Sequence, residues 1–295
     1  MMDIRQSLQY AEYLRREGWF VKRIREINYF IKKFPLIGSV LKLQRPEKID
    51  FNTIDRLCRK YRVFQIIIEP DLALIDSSVT HNLLLHNGFK ITRSPYLPSK
   101  TLQIDLTQTK KRIYTNFTKD CKYSIKRAMA LSERSESKGS DVTIHEYSTL
   151  SDIKTWRESW KKSVKFTRYV PSEQQLLNLC RSFPHNYSVF LASHNGSTSS
   201  PQVISGAIFL RTKDVAYYWY AFTNDEGRTS LSQYSLLWKG LLWAKKMGCK
   251  VFDFEGIYNP RFPNKSWLGF SHFKRSFGGR GIEYPGCYTK FRLPV

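Results

Sequence analysis

At 295 residues the chain can form one large domain or two of medium size, and 41% hydrophobic with 15% aromatic side chains exclude disorder of the whole. Lys and Arg number 48 against 25 Asp and Glu, a net charge of +23 that exceeds what solubility needs. Such an excess implies a polyanionic partner: nucleic acid, an anionic membrane surface or a phosphorylated substrate.

The first elements are short. Residues Ser7 to Glu17 predict a helix stopped by Gly18, with Leu8, Ala11 and Leu14 on one side. From Trp19 to Phe34 basic and apolar residues alternate, which fits either a strand pair with a solvated face or an amphipathic helix. Pro35 to Gly38 reads as a turn and Ser39 to Arg45 as a strand. Asp50 to Tyr61 predicts a helix whose apolar stripe is Ile54, Leu57 and Cys58; Phe64 to Ile68 is a buried strand ending in Glu69-Pro70-Asp71. A helix over Val79 to His86 and a strand over Thr101 to Leu106 follow. Strands alternating with helices indicate an α/β fold.

Lys110 to Arg134 predicts one basic helix, with Tyr114, Phe117, Cys121, Ile125 and Ala128 spaced for burial and Lys119, Lys122, Lys126 and Arg127 on the other face. Ser132 to Ser140 reads as a polar linker. A second series then runs strand (142–146), helix (150–164), helix (172–183), three strands (189–193, 204–211, 216–222), a long helix (231–247) and a strand (251–254). This order resembles the acyltransferase fold of the GCN5-related superfamily. In Ala216–Phe222 the strand period puts Tyr218 and Tyr220 on one side and Tyr217 and Trp219 on the other.

The five cysteines (Cys58, Cys121, Cys180, Cys249, Cys287) are dispersed, with no CxxC and no histidine at ligand spacing. Reduced thiols, a cytoplasmic address and no metal site are expected. The N-terminus lacks the apolar centre of a signal peptide, and no apolar run approaches a membrane span in length. There is no P-loop, GxSxG or HExxH.

The chemistry concentrates between Lys250 and Gly286. Strand Val251–Phe254, with Asp253 and Glu255 expected on one face, gives way at Gly256 to a loop rich in Pro and Asn. A basic helix, Leu268 to Phe277, closes at Gly278-Gly279. FDFEGI, GFSHFKRSFGG and EYPG, in that order, resemble the terminal signature of the FemABX family, which adds amino acids to peptidoglycan precursors from aminoacyl-tRNA.

The resemblance implies two interlocked GCN5-related N-acyltransferase (GNAT)-like domains, 1–108 with 283–295 and 109–282. No heptads mark the coiled-coil arm that some members carry. It implies an aminoacyltransferase of cell-wall biogenesis that forms an amide on a precursor peptide and needs no cofactor. Phe273-Lys274 matches the pair assigned to the tRNA acceptor end and the transferred carbonyl, so Lys274 is the first catalytic candidate; the plain alternative is one more surface lysine. Glu69 stands where the family usually has Asp-Pro, as base or as amine-binding group. Tyr220, with Tyr218 beside it, and more weakly Arg168, match substrate-contacting positions. Lys42 and Arg45 are candidates for the acceptor's phosphate, whether UDP-linked or lipid-linked at the inner membrane face. Lys119, Lys122, Lys126, Arg127 and Arg275 are candidates for tRNA. The segment EGRTSLSQY (226–234) lacks the second small residue of the pattern that cradles the pyrophosphate of acetyl-CoA, which weighs against an acyl-CoA-dependent enzyme. A binder of nucleic acid or anionic lipid that kept only the fold is the reading from another class.

Overall fold

The computed structural model describes residues 1–71, 77–133, 142–147, 149–164, 168–184, 188–195 and 202–293; the expected linker falls mostly on 134–141, outside them. In chain order the elements are α1 (Leu8–Arg16), β1 (Phe20–Ile24), β2 (Ile27–Phe34), β3 (Gly38–Gln44), α2 (Phe51–Tyr61), β4 (Val63–Glu69), α3 (Ser77–His86), β5 (Lys90–Ile91) and β6 (Lys100–Asp105). Then come α4 (Lys110–Thr115), α5 (Lys119–Glu133), β7 (Thr143–Tyr147), α6 (Leu150–Ser163), α7 (Glu173–Ser182), β8 (Ser188–Asn195), β9 (Gln202–Arg211) and β10 (Val215–Thr223). The chain finishes with α8 (Asp225–Thr229), α9 (Ser232–Lys246), β11 (Val251–Asp253), α10 (Leu268–Arg275), β12 (Arg280–Glu283) and β13 (Tyr288–Phe291). Contacts divide it into two units, one of Met1–Thr101, Gly256–Ser271 and Gly281–Val295, the other of Leu102–Glu255 and His272–Arg280.

In the first unit a sheet runs in the order β1-β2-β3-β4-β13-β5. The stretch Trp19 to Phe34, open between strand pair and helix, is a hairpin. Arg25 and Glu26 take φ of 48° and 67°, the left-handed pair of a type I′ turn, whose twist suits two antiparallel strands. β3 and β4 are parallel, joined by α2. Asp50 caps α2 by accepting from the Thr53 amide, and Arg62 ends it in the left-handed region. As the stripe predicted, Ile54, Leu57 and Cys58 are buried, with Leu41, Leu43, Ile66 and Ile68 in the same core. Each such side chain contributes about 1.5 to 3 kcal/mol relative to exposure. β13 inserts between β4 and β5, with Tyr288 buried opposite Ile68.

The other sheet runs β12-β6-β11-β10-β9-β8-β7. β7 to β10 pair antiparallel, and β10 meets β11 in parallel after the crossover through α9. Helix α9 lies close on β9 because Gly240 has no side chain: a Cβ there would fall 2.2 Å from the Phe209 ring.

Three expectations are corrected. The basic helix expected over Lys110–Arg134 is two helices, broken at Asn116 to Thr118. The Thr118 hydroxyl accepts from the Cys121 amide and caps α5, while its own N–H donates to Ser276 O. Phe117 turns inward in the break, 5.5 Å from the Trp238 ring and 5.1 Å from that of Phe277. The apolar spacing ran on through the break, but the cap outweighs it. Tyr218 and Tyr220 do not share a face: Tyr218 pairs with Phe209 and Tyr220 with Ile208, so Trp219 is the extra residue of a β-bulge. Glu255 leaves the strand altogether, since φ of 59° ends the two-residue alternation that was to align it with Asp253.

Candidate active site

In the second unit the last turn of α10 carries Lys274 into the interior, where the residue keeps only 8% of its surface. Its Nζ donates to Phe254 O, just past β11, at 2.7 Å and lies 5.6 Å from the centre of the Tyr218 ring. Burial pulls its pKa down from the usual lysine value to about 8, with the Glu255 and Asp253 carboxylates opposing the shift. The side chain is therefore a cation at neutral pH and loses its proton within easy reach above it. Asp253 is fixed in turn by the Glu255 amide at 2.7 Å and by Gln103 Nε2 at 2.8 Å. The Tyr218 hydroxyl accepts from Gln233 Nε2 on α9, and burial raises its pKa, which holds the phenol in its neutral form. A charge in this setting is strong because little water screens it.

Phe273 is half-buried, edge-on to Tyr234 at 4.9 Å and to Phe277 at 5.4 Å. Tyr220 faces α6, with its ring 5.4 Å from Trp160, so the bulge separates it from Tyr218 and Lys274. Arg168 and Arg275 are exposed, as are Lys119, Lys126 and Arg127 on α5. Lys122 is half-buried and donates to Thr115 O. These four face away from the buried Cys121, Ile125 and Ala128, as the spacing predicted.

The first unit collects the other candidates. Glu69, at the end of β4, is buried; its Oε1 accepts from the Leu97 amide at 2.7 Å, while Oε2 has no hydrogen-bond partner among the described residues. Burial raises its pKa, opposed by the Leu97 N–H and by the charges of Arg45, Arg5 and Lys42. Arg45, with φ of 52°, donates to Pro70 O and Pro98 O and stacks its guanidinium 3.4 Å from the Tyr284 ring centre. Lys42 lies over the rings of Tyr96 and Trp19, at 4.7 and 5.3 Å, and burial lowers its pKa. Glu69 and Arg45 thus pin the loop 93–99 from below.

That loop forms one wall of a cleft of about 330 Å³ that the sequence did not reveal. Tyr258, Asn259, Phe262 and Trp267 supply the facing wall, with Arg93 and Lys265 as cations. Asn259 is itself buried and donates to Ser99 Oγ at 3.1 Å. Gly256 is required beneath it, since a Cβ would meet the Trp267 ring at 2.4 Å. The loop's richness in Pro and Asn was a visible signal; nothing local said which of its side chains line a cavity.

No group of His, Cys, Asp and Glu among the described residues could hold a metal, and all five cysteines are unpaired. No helix among them is long and apolar enough to cross a membrane.

Two GNAT-like domains, with a bulged β10 parallel to β11 and a buried cation beside it, make up an acyltransferase fold. The fold is similar to that of FemX, with a TM-score of 0.80 and 15% identity over 99% of this chain and 92% of that one. It is also similar to L-PGS from Bacillus licheniformis (TM-score 0.57, 11% identity, 97% and 88% covered) and to a tandem GNAT protein from the clavulanic acid biosynthesis pathway (0.51, 8%, 90% and 82%). Comparison with the sequences of curated proteins finds no significant match. The model of the FemAB family matches residues 151–295 of this chain.

Proposed function

We propose that this protein transfers an aminoacyl group from its tRNA ester to an amine on a peptidoglycan precursor peptide. The observation that carries the reading is the buried Lys274 ammonium, held on Phe254 O beneath Tyr218. When an amine attacks the ester carbonyl, a C–N bond forms, charge gathers on the carbonyl oxygen, and the C–O bond to the ribose then breaks. A fixed cation favours that charged state over the neutral ester, and losing one such group costs about 10² to 10³ in rate. Glu69, whose Oε2 has no hydrogen-bond partner among the described residues, serves the attacking amine as a binding group or as the base that takes up its proton. Lys42 and Arg45 in the first unit, with Arg93 and Lys265 at the cleft, offer cations to the acceptor's phosphates. The exposed face of α5 and Arg275 meet the tRNA, in keeping with the net charge of +23.

The start of α9, where an acyl-CoA enzyme would hold pyrophosphate, supports a different donor. Ser232 is fully buried there, donating to Gly227 O and in contact with Ser205 Oγ, so its hydroxyl is engaged within the chain.

The test is incubation of the protein with a mixed pool of aminoacyl-tRNAs and with UDP-linked precursor, lipid-linked precursor or phosphatidylglycerol as separate acceptors, read by mass spectrometry. The expected result is a precursor heavier by one amino-acid residue, dependent on charged tRNA and absent with Lys274→Ala. An adduct formed only from acyl-CoA would overturn the donor, one on phosphatidylglycerol alone the acceptor.

A further inference from the structure

The turn between β2 and β3 is built against the ordinary rule for turns. Leu36 takes φ of 65°, a position that favours Gly or Asn, and is fully exposed at 101% of its reference surface. Ile37 beside it and Phe34 before it are exposed as well. No contact among the described residues offsets a large aliphatic side chain placed there.

The strand register extends this patch. Phe34 pairs with Gly38, Ser39 with Val63 and Gln65 with Phe291, so the turn and the outer ends of β3, β4 and β13 share one end of the sheet. The Phe34 ring lies 6.1 Å from that of Phe64, and the Arg292 amide donates to Phe64 O at 2.8 Å. Phe291 and Leu293, 71% and 86% exposed, therefore stand beside the tip. Lys33, Lys60 and Arg62 are exposed around it.

We infer that this end of the first unit docks on an anionic phospholipid surface, the Leu36-Ile37 tip entering the acyl boundary while the basic residues meet the headgroups. Apolar tips ringed by cations hold proteins at such interfaces through both contributions at once. A nucleic acid would use the cations but gain nothing from exposed aliphatics, and a second copy would bring like charge against like. The inference stands on this surface alone and does not depend on the transferase reading.

The experiment is co-sedimentation of the full chain with vesicles of phosphatidylcholine, with and without phosphatidylglycerol, in the absence of tRNA and precursor. Binding is expected to the anionic vesicles only, weakening with salt. Leu36→Asp with Ile37→Asp should lower partition at least about tenfold, and Lys33→Gln or Arg62→Gln about fivefold each. Thermal midpoints should stay at the wild-type value for the tip variants, because the altered side chains touch solvent. Wild-type-like binding by the double variant, or no binding to anionic vesicles, would overturn the inference. So would loss of a concentration-dependent dimer in ultracentrifugation without any change at vesicles, which would make the tip a self-association surface.

Discussion

Replacing Lys274 with methionine should slow transfer by about 10² to 10³ and, near neutral pH, make the protein more stable. Lowering the pKa from 10.5 to about 8 corresponds to about 3 kcal/mol against the folded state wherever the lysine is charged. Methionine keeps much of the volume and removes that cost. It also strips Phe254 O of its donor, which costs about 1 to 2 kcal/mol. The variant should therefore lead by about 1 to 2 kcal/mol at pH 6. The sign of the pH dependence follows from the direction of the shift. A depressed folded pKa gives a contribution fully present above the unfolded value and lost as pH falls through the folded one. Wild type accordingly recovers about 2 to 3 kcal/mol between pH 6 and pH 10, and the order of the two proteins reverses. Urea unfolding followed by tryptophan fluorescence at both pH values measures this, with mass-spectrometric transfer assays alongside. A stability difference that does not move with pH would refute the argument, as would a variant as active as wild type.

Four further outcomes are expected. Transfer should decline as pH rises past about 8 while Lys274 loses its proton; a rate still climbing through pH 9 would remove the cation from the mechanism. Glu69→Gln should keep the Leu97 contact but lose the charge. Because burial raises the folded pKa, wild type loses stability relative to this variant as pH rises through that value, and denaturation at pH 4 and pH 8 should show the gap widening. Thr118→Ala should cost about 1 kcal/mol and speed amide exchange in the first turn of α5; exchange at the wild-type rate would mean that the cap is idle. Gly240→Ala should cost about 1 to 3 kcal/mol by pressing on the Phe209 ring, read as a lower midpoint in thermal denaturation.

Much of the fold was legible because its elements bury one face. The stripe Ile54, Leu57, Cys58 announced α2, and the strands expected over Val189–Ser193 and Ile204–Arg211 fall within β8 and β9. Where two local signals competed, periodicity misled. Apolar spacing continued across Asn116–Thr118, although a threonine cap restarted the helix there. The bulge at Trp219 leaves no mark in a run of four aromatics, so strict alternation put Tyr218 and Tyr220 together. Lys274 could be named from its motif, but its burial and depressed pKa depend on Phe254, Tyr218 and Asp253, brought together only by folding. Glu69 and Arg45 stood out along the chain as candidates for amine and phosphate chemistry; their shared grip on the loop 93–99 arises from residues far apart in sequence.

The place of β13 bears on how the protein is made. Tyr288–Phe291 is an interior strand, hydrogen-bonded to β4 on one side and β5 on the other. On a ribosome, β1 to β5 emerge early and must wait, through the synthesis of β6 to β12, for the segment that joins β4 to β5. During that interval the free edge of β4, with Ile66, Ile67 and Ile68, offers unpaired backbone beside apolar side chains. The nascent chain therefore carries a long-lived sticky edge, and a holdase that shields it would raise the yield of the finished protein.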